Sequence, residues 1–182
     1  MKGENMKILI TGANGMLAKA VKNEFKDEEL ICTDVAELDI TNLEGVQEFV
    51  TNSKPNLIIN CAAYTNVDLV ENEGYEKACE VNINGVELLS KYCKIYNSLL
   101  IHISTDYVYD GRLNFPYCTV GGCVPQNNYG KTKLYGDDKI MLSGCKYLIF
   151  RVSWLYSEYG NNFFNKIFNI FNICYCFRDF QG

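Results

Sequence analysis

Tyr129 and Lys133 stand four residues apart in the stretch Tyr129-Gly130-Lys131-Thr132-Lys133. On a helix that spacing projects both side chains from one face, one turn above the other. A free phenol titrates near 10. An ammonium about 4 Å away contributes about 4 kcal/mol at an effective dielectric of ~20, enough to lower that value by up to about three units before desolvation takes some back. The expectation is a tyrosine that exchanges a proton near neutral pH, as a general acid for carbonyl reduction must. Spacing alone is weak support: with 13 tyrosines and 14 lysines in 182 residues chance supplies such pairs, and Tyr135 with Lys139 makes a second. Six residues at about 100° each turn Tyr135 some 240° round the helix from Tyr129, so the two pairs cannot serve one site. The rest of the chain must choose between them.

The elements that would position this pair begin at the amino terminus. Lys7 to Thr11 is a short β-branched run, followed by the glycine turn Gly12-Ala13-Asn14-Gly15 and a helical pattern from Ala18 to Phe25. Gly12 permits a tight turn, Gly15 lets backbone N–H groups approach a pyrophosphate, and the helix N-terminus adds favourable partial charge. Ala18 takes the third position, which wants the smallest residue for helix-to-strand packing. By itself such a turn is equally a plain loop. The context adds weight: Glu29 to Thr33 reads as a second strand ending at Asp34, 22 residues beyond Gly12. An acid there accepts hydrogen bonds from an adenosine ribose and repels a 2′-phosphate; otherwise Asp34 is a solvated turn residue.

Leu38 to Asn42 leads into a helical pattern through Val46, Phe49 and Val50 that Asn42 or Thr41 can cap and Pro55 ends. The next strand, Leu57 to Cys61, delivers Ala62-Ala63-Tyr64-Thr65, small residues that leave room for a ligand at a carboxyl edge. A long helix is expected from about Tyr75 to Tyr96, with Ala78, Val81, Val86, Leu88 and Leu89 buried. Its Asn82 and Asn84 either tie neighbouring segments together or touch a cofactor. Leu99 to Ser104 is nearly continuous and apolar, as a strand covered on both faces should be, and carries Thr105 and Asp106 to the same edge. A loop from Arg112 to Asn128 precedes the Tyr129 helix, and Lys146 to Val152 is a further strand, ending in Ser153-Trp154. Strands alternating with helical stretches indicate an α/β fold: a doubly wound, Rossmann-like parallel sheet with helices on both faces. The organisation expected is an extension over residues 1–5, a dinucleotide-binding unit over 6–160 and an atypical tail over 161–182, opening with a helix-compatible stretch, Phe163 to Phe168.

A chain of 182 residues can bury about 70% of its unfolded surface in one domain. A net charge of −5 and a pI near 5.0 offer no basic stripe for nucleic acid. No apolar run reaches membrane-spanning length and the first five residues are too polar to open a signal peptide, so a cytoplasmic protein is expected. Nine cysteines without paired metal-ligand spacing read as small core residues of a reducing compartment, with no metal site. His102, the single histidine, sits in an apolar segment as a satisfied core residue, and with no nucleophile elbow a serine-histidine hydrolase has no footing.

Taken in order, five pieces resemble the extended short-chain dehydrogenase/reductases, and within them the dTDP-4-dehydrorhamnose reductase family. They are Ile10 to Gly15; Asn60 to Thr65 with Val67, Asp68 and Glu71; Ser104 to Gly111; Tyr129 to Leu134; and Ser153 to Tyr156 with Gly160 to Phe163. That order selects Tyr129 over Tyr135. The resemblance implies reduction of the 4-keto group of dTDP-4-dehydro-L-rhamnose with NADPH or NADH. In that reading Tyr129 protonates the carbonyl oxygen, Lys133 tunes the phenol and holds the nicotinamide ribose, and Thr105, with Asp106, hydrogen-bonds the developing oxyanion. Trp154 touches the sugar. Gly12, Asn14, Gly15, Met16, Leu17, Asp34, Asp39, Ile40 and the segment Ala62, Ala63, Tyr64 and Thr65 line the dinucleotide. The partners implied are a nucleotide-sugar and a second copy of the chain, with no membrane and no nucleic acid. Family members continue for about another hundred residues that close over the nucleotide-sugar, so that a C-terminal substrate-binding part is largely missing from this sequence. Two other readings share these motifs: an epimerase or dehydratase for a different nucleotide-sugar, and a non-catalytic binding protein or inactive reductase fragment resembling the regulatory subunit of methionine adenosyltransferase.

Overall fold

β-Branched and apolar runs bounded by turn residues become five parallel strands. The structure, a computed structural model, describes residues 5–119, 121–160, 162 and 165–167. In chain order it contains β1 (Lys7–Thr11), α1 (Met16–Glu24), β2 (Glu29–Thr33), α2 (Leu43–Ser53), β3 (Leu57–Asn60), α3 (Val67–Val70) and α4 (Tyr75–Cys79). A π turn (Glu80–Gly85) leads into α5 (Val86–Tyr96). Then come β4 (Leu99–Thr105), a 3-10 turn (Asp106–Val108), α6 (Asn128–Ser143) and β5 (Lys146–Val152). The strands pair in the order β2-β1-β3-β4-β5, all parallel. Chain order reverses between β1 and β3, which is where a doubly wound sheet opens a crevice at its carboxyl edge.

Register sets what that edge presents. Thr11 pairs with Thr33 on one side and Asn60 on the other. Asn60 pairs with His102, and β4 then runs three residues further to Thr105 opposite Val152. Alternation along β1 sends Leu9 into one core with Val46, Val50, Ile58, Val86, Leu89, Leu100 and Ile140, and Ile8 and Ile10 into a second with Ala18, Leu57 and Ile59. Helices α2, α5 and α6 cover the first face and α1 the second. Ala18, fully buried, is where α1 meets the sheet.

Caps close both ends of α2 and α6 and the C-terminal end of α5. Asn42 Oδ1 accepts from the Gly45 N–H at 2.9 Å, and Asn127 Oδ1 accepts from the Gly130 N–H at 2.7 Å, so each is a side-chain N-cap. Lys54 and Asn97 close α2 and α5 in the left-handed conformation, as does Gly144 after α6.

Four expectations change. Helix α1 starts at Met16, two residues before the apolar pattern suggests. The single helix expected from Tyr75 to Tyr96 is interrupted by the π turn, which swings Asn82 inward while Asn84 stays exposed. On β4 only alternate residues are fully covered, because α1 packs over β1 and β3 and leaves Leu99, Ile101 and Ile103 partly exposed. Of the described cysteines Cys93 is buried and Cys61 and Cys145 pack partly buried against the two cores, whereas Cys32 and Cys118 are exposed, so the core reading holds for only some of them. Residues 1–4, and the tail 161–182 apart from Asn162 and the helical residues 165–167, lie outside the described residues. Among the described residues no helix is long and apolar enough to cross a membrane.

Candidate active site

The glycine turn forms the floor of the crevice. Gly12 has φ +63°, and a Cβ there would lie 2.8 Å from the backbone of Ala62. The turn therefore rests directly on the segment after β3, and only a residue without a side chain permits both the conformation and the approach. Gly15 begins α1 with no side-chain cap, so the first N–H groups of α1 have no carbonyl partner within the helix. Asp34, at the tip of β2, accepts from the Asn14 N–H at 2.9 Å and the Val35 N–H at 2.8 Å. Asp39 accepts from both the N–H and the hydroxyl of Thr41, and the hydroxyl bond, followed by the backbone one, holds its carboxyl below the usual carboxylate range. Gly12, Gly15, Met16, Leu17, Asp34, Asp39, Ile40, Ala62, Ala63 and Thr65 all line one cavity of about 500 Å³.

A second cavity of about 550 Å³ continues from it, sharing Met16, Leu17, Cys61, Ala63, Thr65 and Leu155. Thr105, Asp106, Tyr129, Lys133 and Trp154 line this half. Three elements converge here: the end of β4 brings the threonine, the 3-10 turn the aspartate, and the first turns of α6 the tyrosine and lysine. Their approach depends on Gly130, because a Cβ there would overlap the carbonyl oxygen of Tyr107. The Tyr107 ring meets that of Tyr129 edge-on, with centroids 5.9 Å apart. Thr105, at the end of β4, lines the same wall and is close enough to the phenol to act on its proton affinity. Thr105 Oγ1 in turn accepts from the Tyr107 N–H at 3.2 Å and donates to Asp106 Oδ1 at 3.3 Å.

The electrostatics of the pair differ from the expectation. Burial, followed by the neighbouring Tyr107 and Asp106, pushes the Tyr129 phenol above its ordinary value, and the nearby Thr105 hydroxyl pulls it back only in part. Lys133 is not among the groups that shift it. The lysine is 2% exposed, donates to the Ile103 carbonyl at 2.8 Å and lies 3.2 Å from His102 Nε2. Desolvation lowers it to about 8, against the raising influence of Asp137. The one-turn spacing puts both residues on one face, as predicted, but burial outweighs mutual attraction. The alternative pair is separated as expected: Tyr135 is half exposed and Lys139 forms an ion pair with Glu87 at 2.9 Å.

Two residues expected to line the dinucleotide do not line the crevice. Asn14 uses its backbone N–H on Asp34 and is exposed. Tyr64 has its backbone N–H and C=O bonded to the Asn82 side chain, and its hydroxyl lies beside Gly74. It shapes the wall from behind. Residues not singled out include Cys61 and Leu155, which line both halves, and Val81 behind the floor. Asn82, buried, also donates to Thr132 Oγ1 at 3.1 Å and so fastens the Ala62 to Thr65 segment to α6. Glu71 accepts from the Asn128 N–H at 2.7 Å at the start of α6. Asp137 is fully buried below Lys133; its place one turn further on, in the series 129, 133, 137, is the signal that could have found it.

A parallel doubly wound sheet with a glycine turn at its switch point, and a tyrosine-lysine helix on the same edge, defines an α/β domain of the dinucleotide-binding type. The chain belongs to the RmlD substrate binding domain family, whose model matches residues 6–172. It is 41% identical to a dTDP-4-dehydrorhamnose reductase of Aggregatibacter actinomycetemcomitans over 160 residues, 86% of this chain and 54% of that protein. Among solved structures it is similar to a dTDP-4-dehydrorhamnose reductase from Clostridium acetobutylicum, at 43% identity and a TM-score of 0.87, covering 91% of this chain and 59% of that one. One from Bacillus anthracis, in complex with NADP, superposes with the same TM-score at 36% identity and the same coverage. The chain thus spans little more than half the length of these relatives.

Proposed function

We propose that this chain is the cofactor-binding and proton-donating part of an NAD(P)H-dependent dTDP-4-dehydrorhamnose reductase, which reduces the 4-keto group of dTDP-4-dehydro-L-rhamnose to dTDP-L-rhamnose. The observation that carries it is the continuity of the crevice from the Gly12 turn to the wall that Thr105, Tyr129 and Lys133 line together. The residues present fit a dinucleotide: the close approach of Gly12 to Ala62 keeps the floor free of side chains, and the helix N-terminus behind Gly15 offers N–H groups to a pyrophosphate. When bound, the reduced nicotinamide supplies the hydride. The chain's own residues handle the proton. Tyr129 Oη, kept protonated through the neutral range by its burial, gives its proton to the substrate oxygen. Thr105 Oγ1, positioned by the Tyr107 N–H, turns its one O–H from Asp106 to that oxygen as negative charge grows on it. Lys133, on the wall of the same cavity and titrating at about 8, is the nearest proton reserve the chain itself supplies to that space. Asp34 favours a cofactor without a 2′-phosphate, whereas the Bacillus anthracis relative carries NADP.

The same reading assigns residues 6–160 to the dinucleotide-binding unit, with Asp106 and Trp154 toward the sugar, and places the protein in the cytoplasm as a homodimer. One alternative is a cofactor binder without turnover. Oxidation of NADPH and NADH in the presence of dTDP-4-dehydrorhamnose separates the two. Turnover that falls about 10²–10⁴-fold in Tyr129→Phe supports the reductase; cofactor binding with no turnover supports the binder.

A further inference from the structure

Behind Lys133 lies a chain of buried hydrogen bonds whose direction is set by a backbone amide. The Ala62 N–H can only donate, and it points at Asn60 Oδ1 at 3.2 Å, as does the Thr11 hydroxyl at 2.7 Å. That identifies the acceptor end of the Asn60 amide. The other end, Nδ2, must donate, and it lies 3.1 Å from His102 Nδ1. A neutral imidazole accepting at Nδ1 carries its proton on Nε2. His102 is fully buried, and desolvation together with Lys133 keeps it well below 6.5, hence neutral. The Nε2–H therefore faces Lys133 Nζ at 3.2 Å and, further off at 3.9 Å, Asp137 Oδ1.

An ammonium has three donors and no acceptor, so a charged Lys133 and the Nε2–H are donor against donor. Asp137 does not relieve this at the observed distances. Its Oδ2 accepts from Ser104 Oγ at 2.9 Å and Arg151 Nε at 3.2 Å, while its buried Oδ1 has no hydrogen-bond partner among the described residues. The titratable and charged groups facing this point are Tyr129, Lys133 and Asp137 from α6, His102 from β4, Arg151 from β5 and, beside the phenol, Asp106.

We propose that His102 is a positioning residue for Lys133: held by Asn60 as the Nε2–H tautomer, it receives the uncharged amine and opposes the ammonium, so that Lys133 readily gives up its proton, by way of solvent in the cavity both residues line, to the Tyr129 phenolate left by substrate protonation. In that step an N–H bond of Lys133 breaks and the O–H bond of Tyr129 re-forms; solvent then reprotonates the amine. The thread runs from Thr11, beside the glycine turn, through Asn60 and His102 to Lys133. The role in turnover rests on the reductase reading. The tautomer does not.

Because His102 is the only histidine, long-range proton–nitrogen spectra of the whole chain report its tautomer without ambiguity. The expected result is a protonated Nε2 and a bare Nδ1 at neutral pH; an Nδ1–H imidazole or an imidazolium overturns the proposal. Carbon-13 spectra of the lysine side chains, assigned with Lys133→Arg, give the second readout. Lys133 is expected to titrate at about 8. In His102→Gln, whose amide oxygen offers an acceptor, the midpoint is expected to rise by about one unit, a tenfold gain in proton affinity. An unchanged midpoint overturns the proposal. Where turnover is measurable, the basic limb of its pH profile shifts upward with that midpoint. Absence of turnover with the expected tautomer and midpoint would count against the reductase reading alone.

Discussion

Lys133 follows Tyr129 by one helical turn, yet its Nζ donates to the Ile103 carbonyl at 2.8 Å and lies against the His102 ring. Its proton is held more tightly by the unfolded chain than by the folded one. Between about 8 and 10.5 the unfolded state binds the proton that the folded state has released, so stability rises with pH through that window. Below it, the folded state must keep a charge away from water. Lys133→Met should therefore be at least as stable as the parent at neutral pH and should lose the rise above pH about 8, seen in urea melts across that range.

Gly12→Ala tests the floor of the crevice. At φ +63° with Ala62 backbone 2.8 Å from the new methyl group, the substitution meets both dihedral strain and collision. A loss of about 1–3 kcal/mol in stability is expected, together with loss of NADH binding followed by fluorescence titration. A variant with unchanged affinity would contradict a dinucleotide running over this turn.

Gly130→Ala acts on the other wall. The added methyl group overlaps the carbonyl oxygen of Tyr107, so α6 must move away from the 3-10 turn. Overpacking of this kind costs about 1–3 kcal/mol. Tyr129 should move away from Thr105, lowering turnover more than cofactor affinity; comparison of kcat with the cofactor Kd distinguishes this from general unfolding.

Asp34→Ser addresses cofactor choice. The carboxylate is anchored by Asn14 and Val35 N–H groups and lines the Gly12 half of the crevice; if the proposed adenosine ribose lies there, a 2′-phosphate would meet like charge. Its removal should shift the NADPH-to-NADH affinity ratio toward NADPH by about tenfold, or ~1.4 kcal/mol. Equal ratios in parent and variant would place the adenosine ribose elsewhere.

Much of this was readable along the chain. The Lys7–Thr11 strand, its glycine turn and Asp34 lie within one β-α-β unit, and their meaning depends on short-range rules: strand period, the left-handed freedom of Gly12, and the amide groups exposed at a helix start. The Tyr129–Lys133 pair was likewise legible, because residues four apart on a helix share a face whatever lies around it.

What surrounds that face was not. Asn82, Asn60, His102 and Asp137 come from four elements, and no local pattern tells whether a buried polar group meets a donor, an acceptor or nothing. The expected lowering of the Tyr129 phenol failed for this reason: spacing gives proximity, but acidity is set by burial and by the neighbours that other strands bring, here Tyr107, Asp106 and Thr105. The amino-acid sequence by itself determined the sheet, the turn and the choice of chemical groups, since these follow from backbone preference and side-chain period. Only the tertiary structure decided their protonation and reach, because desolvation and hydrogen-bond direction are properties of a packed environment and belong to no residue alone.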